Sequence, residues 1–345
     1  MSELHKKNHF VPECYLKRWQ DSKNKICVYR TLVSHHNVPL WKKYSVAAIA
    51  YHNHLYTQMV AGKESDRLER WLDKEFESPA NAVLDKAVLE KRLSPDDWNI
   101  LIRFLAAQDV RTPSRLLEHL KYYNEKYPEI LESTLKELTK KLEGNDIGRN
   151  AIKHTSKKYS SLIPMKVTTE LIPGEDGGIL KAESYAGRST WFFSINHLLE
   201  NTEKVLHKHK WSIVKPAKGY SWPTSDNPVI KLNFINHMKY DLKGGWDKKK
   251  GNIIFPIGPD HAMFVQINDR PIPKWTRLTL DQTRLFRKII VENAHRMVFS
   301  NFFDAEIIRI RERIVDGNQF RNEQKEIEQW HQKNSELELE YFKNR

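Results

Sequence analysis

The sequence predicts an α+β fold in which a helical block is inserted between a small N-terminal β element and a later antiparallel sheet. Short β-like runs rich in aromatic residues and histidine fill the first sixty residues. Apolar residues then recur at helical spacing over about 62–160, and short apolar runs separated by Pro, Gly and Asn return over about 205–270. This order allows the two β parts to join into one sheet.

A strand and a broken helix are expected in the first ninety residues. The run Ile26–Tyr29 lies between charged turns and is typical of a compact strand. Helical spacing begins after Gly62, and Pro79 lies inside it. Because proline cannot donate the helical hydrogen bond, this position predicts a kink or a break into two helices.

A second helix has a start signal in the sequence. Ser94 has the character of an N-cap, and Pro95 with two following aspartates suits the first turn, so a helix should begin at Pro95. The segment Arg111-Thr-Pro113 should interrupt it. Two further amphipathic helices are expected at about 126–143 and 147–160.

The remaining chain changes to a mainly strand-like pattern. A loop is expected at 174–178 and a helix at 191–206. Four short runs resemble antiparallel strands, at 211–214, 229–232, 253–255 and 263–267. A helix at about 279–295 and a short segment ending at Phe299 follow. No boundary has the composition of a linker, so we expect one domain over 1–303 and a charged helical extension over 304–345 that is the part least committed to the core.

The composition indicates a folded, basic, cytoplasmic protein. The 345 residues include 57 Lys and Arg against 44 Asp and Glu, a net charge of +13 that favours a polyanionic partner. Two cysteines, Cys14 and Cys27, are too few for a disulfide framework and point to a reducing compartment. The longest near-apolar stretch is far shorter than the roughly 20 residues of a membrane span, and the N-terminus lacks the apolar core of a secretory signal. We therefore expect no membrane partner.

Three polar segments carry the candidate chemistry. His9 is the titratable group of an apolar N-terminal anchor, although it could equally bond a backbone carbonyl in the core. Gln108 and Arg111 are three apart on one helix face, although Arg111 could instead cap the helix end. The segment Thr224-Ser-Asp-Asn-Pro-Val229 suits a simple turn and equally suits the mounting of functional groups at a strand end.

These segments together resemble a bacterial and fungal family catalogued as domain of unknown function 4238. The resemblance rests on His9-Phe-Val-Pro12, Gln108-x-x-Arg111-Thr-Pro113, Thr224–Val229 and Phe255-Pro-Ile-Gly-Pro259, in that order, with Ala294–Asn301 similar to the closing segment. It covers about residues 5–303 and implies a shared fold and a cytoplasmic prokaryotic setting, without a settled activity. Carried over by position, it marks seven polar residues: His9, Glu77, Gln108, Arg111, Ser225, Asp226 and Asn227.

The leading functional hypothesis is a nuclease-like hydrolase acting on nucleic acid or another phosphate-bearing substrate. His9 would be the general acid or base, and Arg111 with Gln108 would hold the developing oxyanion. Asp226 would orient His9 or hold a divalent metal ion with Glu77. Ser225 and Asn227 would contact the substrate. On this hypothesis, His9→Ala and Arg111→Ala should abolish activity without loss of thermal stability.

A basic stretch with interleaved aromatic residues would supply the nucleic-acid contacts. Lys208 and Lys210 would bind phosphates beside stacking rings of Trp211 and Trp222, a pattern suited to single strands. Two alternatives remain open. One is a non-catalytic module that binds nucleic acid or senses a nucleotide, for instance in phage defence. The other is a scaffold whose terminal helix, at about 319–342, packs Phe320, Ile327, Trp330 and Leu337 on a partner.

Overall fold

The N-terminal part of the chain consists of short strands. The structure is a computed structural model that describes residues 4–143, 165–171 and 178–342. Its first elements are β1 (Lys7–His9), α1 (Glu13–Leu16), β2 (Ile26–Arg30), β3 (Leu32–Val33), β4 (Trp41–Tyr44), β5 (Tyr51–Asn53), β6 (Gln58–Val60) and β7 (Lys63–Ser65). The strand predicted at 26–29 is confirmed as β2.

The helical block follows, with the break predicted near Pro79 and the helix start predicted at Pro95. Its helices are α2 (Arg67–Leu72), α3 (Ser78–Val88), α4 (Pro95–Val110) and α5 (Pro113–Glu143). A π-helical turn, Asp73–Glu77, joins α2 to α3 directly before Pro79. The Ser94 hydroxyl accepts a bond from the Asp97 N–H, and the Asp97 carboxylate accepts one from the Ser94 N–H, so α4 begins at Pro95 as predicted.

The long helix α5 corrects one expectation. Instead of a separate helix from about 126, a single helix runs from Pro113 to Glu143 through Pro128. Strong helix formers on both sides of Pro128 outweigh the hydrogen bond that proline removes. The helix expected at 147–160 lies outside the described residues.

A hairpin and a helix follow. The hairpin consists of β8 (Met165–Leu171) and β9 (Gly178–Ser184), which pair antiparallel and were not predicted from the sequence. Residues 174–177 of the expected loop lie outside the described residues, and Gly178 begins β9. The helix expected at 191–206 is confirmed as α6 (Arg188–His197) and α7 (Glu203–Leu206), joined by a π-helical turn.

The C-terminal half contains the larger sheet. Its elements are β10 (Ser212–Lys215), β11 (Thr224–Ser225), β12 (Ile230–Asn236), β13 (Lys239–Asp241), β14 (Gly251–Gly258), β15 (His261–Gln266), β16 (Thr276–Arg277), α8 (Leu280–Asn293), β17 (Met297–Ser300), α9 (Ala305–Ile310), β18 (Ile314–Val315) and α10 (Gly317–Phe342). All four predicted runs are strands, and they lie adjacent and antiparallel in the order β12-β14-β15-β10.

The two β parts join only in part. A four-stranded sheet, β11-β17-β2-β4, combines N-terminal and C-terminal strands, whereas a separate six-stranded sheet has the order β13-β12-β14-β15-β10-β16. One face of the larger sheet, with Ile253 and Phe255, packs in a core shared with α3 and α4, and the other face, with Ile254, packs with α8. Because both faces are covered, its central strands are continuous apolar runs.

The terminal helix α10 is more firmly packed than the sequence suggested. Glu338 is buried and accepts hydrogen bonds from Arg188 Nε at 2.9 Å and Nη2 at 2.7 Å. The indole of Trp330 donates to the Leu55 carbonyl at 3.2 Å. The buried Arg188–Glu338 ion pair holds α10 against α6, and the bond from Trp330 to Leu55 holds it against the segment between β5 and β6. Within the described ranges, every helix is too short or too polar to span a bilayer.

Candidate functional site

Arg111 lies fully buried at the junction of α4 and α5 and joins three parts of the fold. Its guanidinium donates to the Glu77 carboxylate and to the backbone carbonyl of His9. Its Nε is 3.5 Å from the Tyr56 hydroxyl, and the Tyr56 ring lies 5.5 Å from the guanidinium carbon. A second carboxylate, of Glu69, is 3.6 Å from Nη2. The structure thus brings together Glu77, Arg111 and the backbone of His9.

The π-helical turn explains why two carboxylates meet Arg111. In an uninterrupted α-helix, residues eight apart differ in direction by about 80°. The wider π turn at Asp73–Glu77 absorbs one residue, so Glu69 and Glu77 both face Arg111. Burial raises the pKa of Glu69 to about 7, and Arg111 opposes this rise. Glu69 was not predicted from the sequence, although Pro79 indicated the helix break that lets Glu69 and Glu77 both face Arg111.

These contacts change the roles expected for Arg111 and His9. The donors of Arg111 are engaged within the protein, which argues against an oxyanion-binding role. The His9 imidazole lies 3.1 Å from the Glu13 carboxylate, and burial lowers its pKa to about 4. His9 therefore reaches Arg111 through its backbone, and its imidazole pairs with Glu13 and not with Asp226.

Gln108 lies one turn before Arg111 on α4 and is fully buried. Neither its Oε1 nor its Nε2 has a hydrogen-bond partner in the described part of the chain. Buried polar groups are nearly always paired, so an unpaired amide marks a functional or hydrated position. Gln108 does not share the oxyanion role with Arg111, whose donors are engaged elsewhere.

The Ser225-Asp-Asn227 turn holds the segment that follows α8. The Asp226 carboxylate accepts three backbone N–H bonds, from His295 at 2.8 Å, Arg296 at 2.7 Å and Met297 at 2.9 Å. The Ser225 hydroxyl accepts the Asn227 N–H at 3.2 Å. Asp226 therefore organises a turn, and the expected metal pairing with Glu77 is corrected because Glu77 is bonded to Arg111 instead.

Asn227 connects this turn to the Arg111 region. Its side chain donates to the Asn293 carbonyl at 3.1 Å, and the Asn293 side chain donates to the Asn227 carbonyl at 2.7 Å. The Thr112 hydroxyl lies 3.5 Å from the Asn227 amide oxygen. The loop after Arg111 and the turn at Asp226 are thus in direct contact.

A cleft of about 520 Å³ opens beside these two segments, between α5 and α10. Its apolar walls include Leu116, Leu120, Ile327, Trp330 and Leu337. Ile327, Trp330 and Leu337 of the scaffold hypothesis therefore face this chain's own cleft.

Two histidines and two carboxylates also line this cleft, which we call the histidine cleft. They are His52, from β5, His295, from the segment held by Asp226, and Glu323 and Glu326, both from α10. Glu323 accepts two bonds from Arg296, at 2.8 Å and 2.6 Å. Pro113 also lines the cleft, so the segment beginning at Arg111 leads directly to it.

The two imidazoles of the histidine cleft are held uncharged near neutral pH. Burial and, to a smaller extent, the neighbouring His295 together lower the pKa of His52 to about 4. Burial also lowers the pKa of His295, while the charge of Asp226 opposes this. Burial raises the pKa of Asp226, whereas His295 and the three N–H donors act to lower it. Uncharged imidazoles facing a cavity can accept a proton from a ligand.

Sequence reasoning missed both of these histidines. His295 lies within the closing segment of the resemblance, but nothing in its spacing distinguished it. His52 lies in a strand that pairs with β1, with Asn8 opposite it and His9 opposite Tyr51. The β1–β5 pair therefore places His9 and His52 in neighbouring positions, and only His52 lines the cleft.

The basic stretch does not form the expected stacking surface. Lys208 and Lys210 are exposed, as predicted. The ring of Trp211 is buried, and its indole donates to the Leu206 carbonyl at 2.8 Å. Trp222 is fully buried with its ring 6.0 Å from that of Phe286. Because strand and core packing enclose both indoles, neither can stack on a base at the surface.

The comparisons with known proteins agree with the resemblance. The model of the family described as "Protein of unknown function (DUF4238)" matches residues 7–302, so the chain belongs to this family. No curated protein and no solved structure matches the chain. The matched range contains His52, Arg111, Asp226 and His295 and ends before α10.

The lowered pKa of His52 predicts a pH-dependent stability. Between pH 6.5, the ordinary pKa of histidine, and about 4, the unfolded chain binds a proton that folded His52 does not. The unfolded state then binds more protons, so the free energy of unfolding falls as the pH is lowered through this window. We expect His52→Gln to reduce this fall, measured by urea unfolding at pH 7 and pH 5. The matched variant at the exposed His237, His237→Gln, should retain it.

Proposed function

We propose that this protein is a metal-independent hydrolase of single-stranded RNA whose catalytic groups are His52 and His295. The observation that carries the proposal is that two half-buried imidazoles line one cleft, with Asp226 fixing the backbone at His295, Arg296 and Met297 through one N–H bond from each. This keeps the hydrolase hypothesis and moves its acid–base chemistry from His9 to the histidine cleft.

The shape and charge of the molecule suit this substrate class. A cavity of about 520 Å³ lies within the range of roughly 300–1,000 Å³ that holds small organic groups. Its apolar walls, with Trp330 among them, suit the flat face of a nucleobase. The net charge of +13 raises the local concentration of polyanions.

Two imidazoles are sufficient for the reaction because RNA carries its own nucleophile. One imidazole removes the proton of the ribose 2′-hydroxyl, whose oxygen attacks the phosphorus. The other, protonated, gives its proton to the departing 5′-oxygen as that phosphorus–oxygen bond breaks. The products are a 2′,3′-cyclic phosphate and a 5′-hydroxyl. The substrate's negative charge favours protonation of one imidazole, so the highest rate is expected on the acidic side of neutrality.

The proposal is tested with labelled single strands of RNA and DNA of the same sequence in the presence of EDTA. We expect the full chain to cleave RNA, leaving 2′,3′-cyclic phosphate ends, and to leave DNA intact. His295→Gln, purified in parallel, excludes a contaminating nuclease. Cleavage that requires a metal ion, or that affects DNA equally, would contradict the proposal. Binding without cleavage by wild type would support the nucleic-acid-sensing alternative instead.

A further inference from the structure

A second histidine cluster lies near α10 and uses none of the residues of the histidine cleft. It consists of His54, directly after β5, Glu64, in β7, and His331, in α10. One ligand atom from each residue lies within 4.8 Å of the other two. We propose that these three residues bind one Zn²⁺ ion, which fastens α10 to the N-terminal strands. This inference does not depend on the proposed function.

The donor set is one that zinc prefers. Two imidazoles and one carboxylate are a common zinc ligand set, with bonds of about 2.0–2.2 Å and a fourth position for water. His331 Nε2 already lies 2.8 Å from the Glu64 carboxylate. The rings of His54 and His331 are stacked, with centroids 4.2 Å apart. On a tetrahedron with those bond lengths the ligand atoms are about 3.4 Å apart, and the three ligand atoms here all lie within 4.8 Å of one another, so small side-chain shifts complete the site.

The backbone and its neighbours position His54 for this role. His54 has a φ of 55°, in the left-handed region, and its N–H donates to the Lys6 carbonyl at 2.6 Å. Residues held in this region are concentrated at functional positions. The Thr57 hydroxyl lies 3.2 Å from His54 Nδ1, which leaves Nε2 as the metal ligand. Such an outer contact fixes the ring orientation in zinc sites.

His331 has a competing contact that moderates the affinity. Its Nδ1 lies 3.0 Å from Arg188 Nη1, so the metal-free ring accepts at Nδ1 and donates from Nε2 to Glu64. Metal binding at Nε2 moves the ring proton to Nδ1, where the Ser335 hydroxyl, 3.5 Å away, is the acceptor. Arg188 keeps its two bonds to Glu338. The exchange of this Arg188 contact opposes metal binding and so lowers the affinity of the site.

One of the three ligands lies outside the family match. His331 lies beyond residue 302, where the family match ends, whereas His54 and Glu64 lie within it. A bound ion would join α10 to the end of β5 and to β7 at the residue next to Trp330, which lines the histidine cleft. The ion would therefore stabilise one wall of that cleft without contributing a ligand to it.

The inference is tested by titrating the full chain with Zn²⁺ in a calorimeter after dialysis against EDTA. We expect one ion per chain and a rise in the thermal unfolding midpoint. His54→Ala and Glu64→Gln, which leave the Arg188–Glu338 pair intact, should each lower the affinity at least tenfold. His237→Ala, at an exposed position, should bind as wild type does.

A second readout separates this site from adventitious binding to surface histidines. Co²⁺ in place of zinc should give the visible absorption of a tetrahedral site in wild type and in His237→Ala, and lose it in His54→Ala. The inference is overturned if wild type binds no zinc, or if His54→Ala and wild type bind it with the same affinity. These results do not depend on RNA cleavage, so they leave the proposed function separately testable.

Discussion

Arg111→Ala is expected to lower the free energy of unfolding by about 3–5 kcal/mol, the cost of removing one partner of a buried ion pair. Arg111 is fully buried, and its loss leaves the carboxylates of Glu77 and Glu69 without their cation. It also leaves the His9 carbonyl without this donor. Urea unfolding of the variant and of wild type measures the difference.

The matched control for this prediction is Arg309→Ala, at an exposed position of α9. A surface substitution of this kind changes the free energy of unfolding by less than about 0.5 kcal/mol. Adding Glu69→Gln and Glu77→Gln to Arg111→Ala should recover part of the loss, because the uncompensated charges are then removed. An Arg111→Ala protein as stable as wild type but unable to cleave RNA would return Arg111 to a catalytic role.

His295→Gln is expected to reduce the rate of RNA cleavage about 100- to 10,000-fold, the usual contribution of a general acid or base. The fold should tolerate the change, since Asp226 bonds the backbone N–H of residue 295 and not its side chain. Single-turnover rates with the labelled RNA strand measure the effect. His52→Gln should give a loss of similar size, and the double variant little more than either alone, because the two groups act in one step.

The matched control for this prediction is His237→Gln, which removes an exposed imidazole in the turn between β12 and β13. Its rate and its thermal midpoint should equal those of wild type. If His295→Gln cleaves RNA at the wild-type rate with an unchanged midpoint, the histidine cleft is not the catalytic site.

Local signals in the sequence were sufficient for much of the fold. The hydroxyl of Ser94 and the ring of Pro95 act within one helical turn, so the start of α4 could be predicted. The runs that became β14 and β15 are buried on both faces, and a continuous apolar run identifies such strands. The pairing of β17 with β2 joins residues far apart in the chain, and no local pattern specifies it.

The candidate site was predicted less well, for physical reasons. The resemblance marked His9, Glu77 and Arg111 by position, and in the structure their contacts are those of a buried ion-pair network. Glu69 reaches Arg111 only because a π turn changes the helical register. His52 and His295 share a cleft only because α10 returns across them, and the charge-rich sequence of α10 suggested a loosely attached extension.

The basic stretch shows a similar difference between pattern and packing. The alternation of lysines and aromatic residues around Lys210 and Trp211 is what a nucleic-acid surface would have. In the fold, the lysines are exposed in the turn before β10, while the indoles are buried in the core. The exposed lysines stay available to the polyanion of the proposed function, and the buried rings are not available for stacking.

The proposal that the histidine cleft cleaves RNA is tested most directly by locating a bound RNA strand on the wild-type protein. A strand with 2′-O-methyl riboses lacks the nucleophilic hydroxyl and should bind without being cleaved, so the complex can be crystallised. We expect a backbone phosphate within hydrogen-bond distance of His52 and His295, with a base against Trp330. A strand bound along Lys208 and Lys210, with the histidine cleft left without a phosphate, would contradict it.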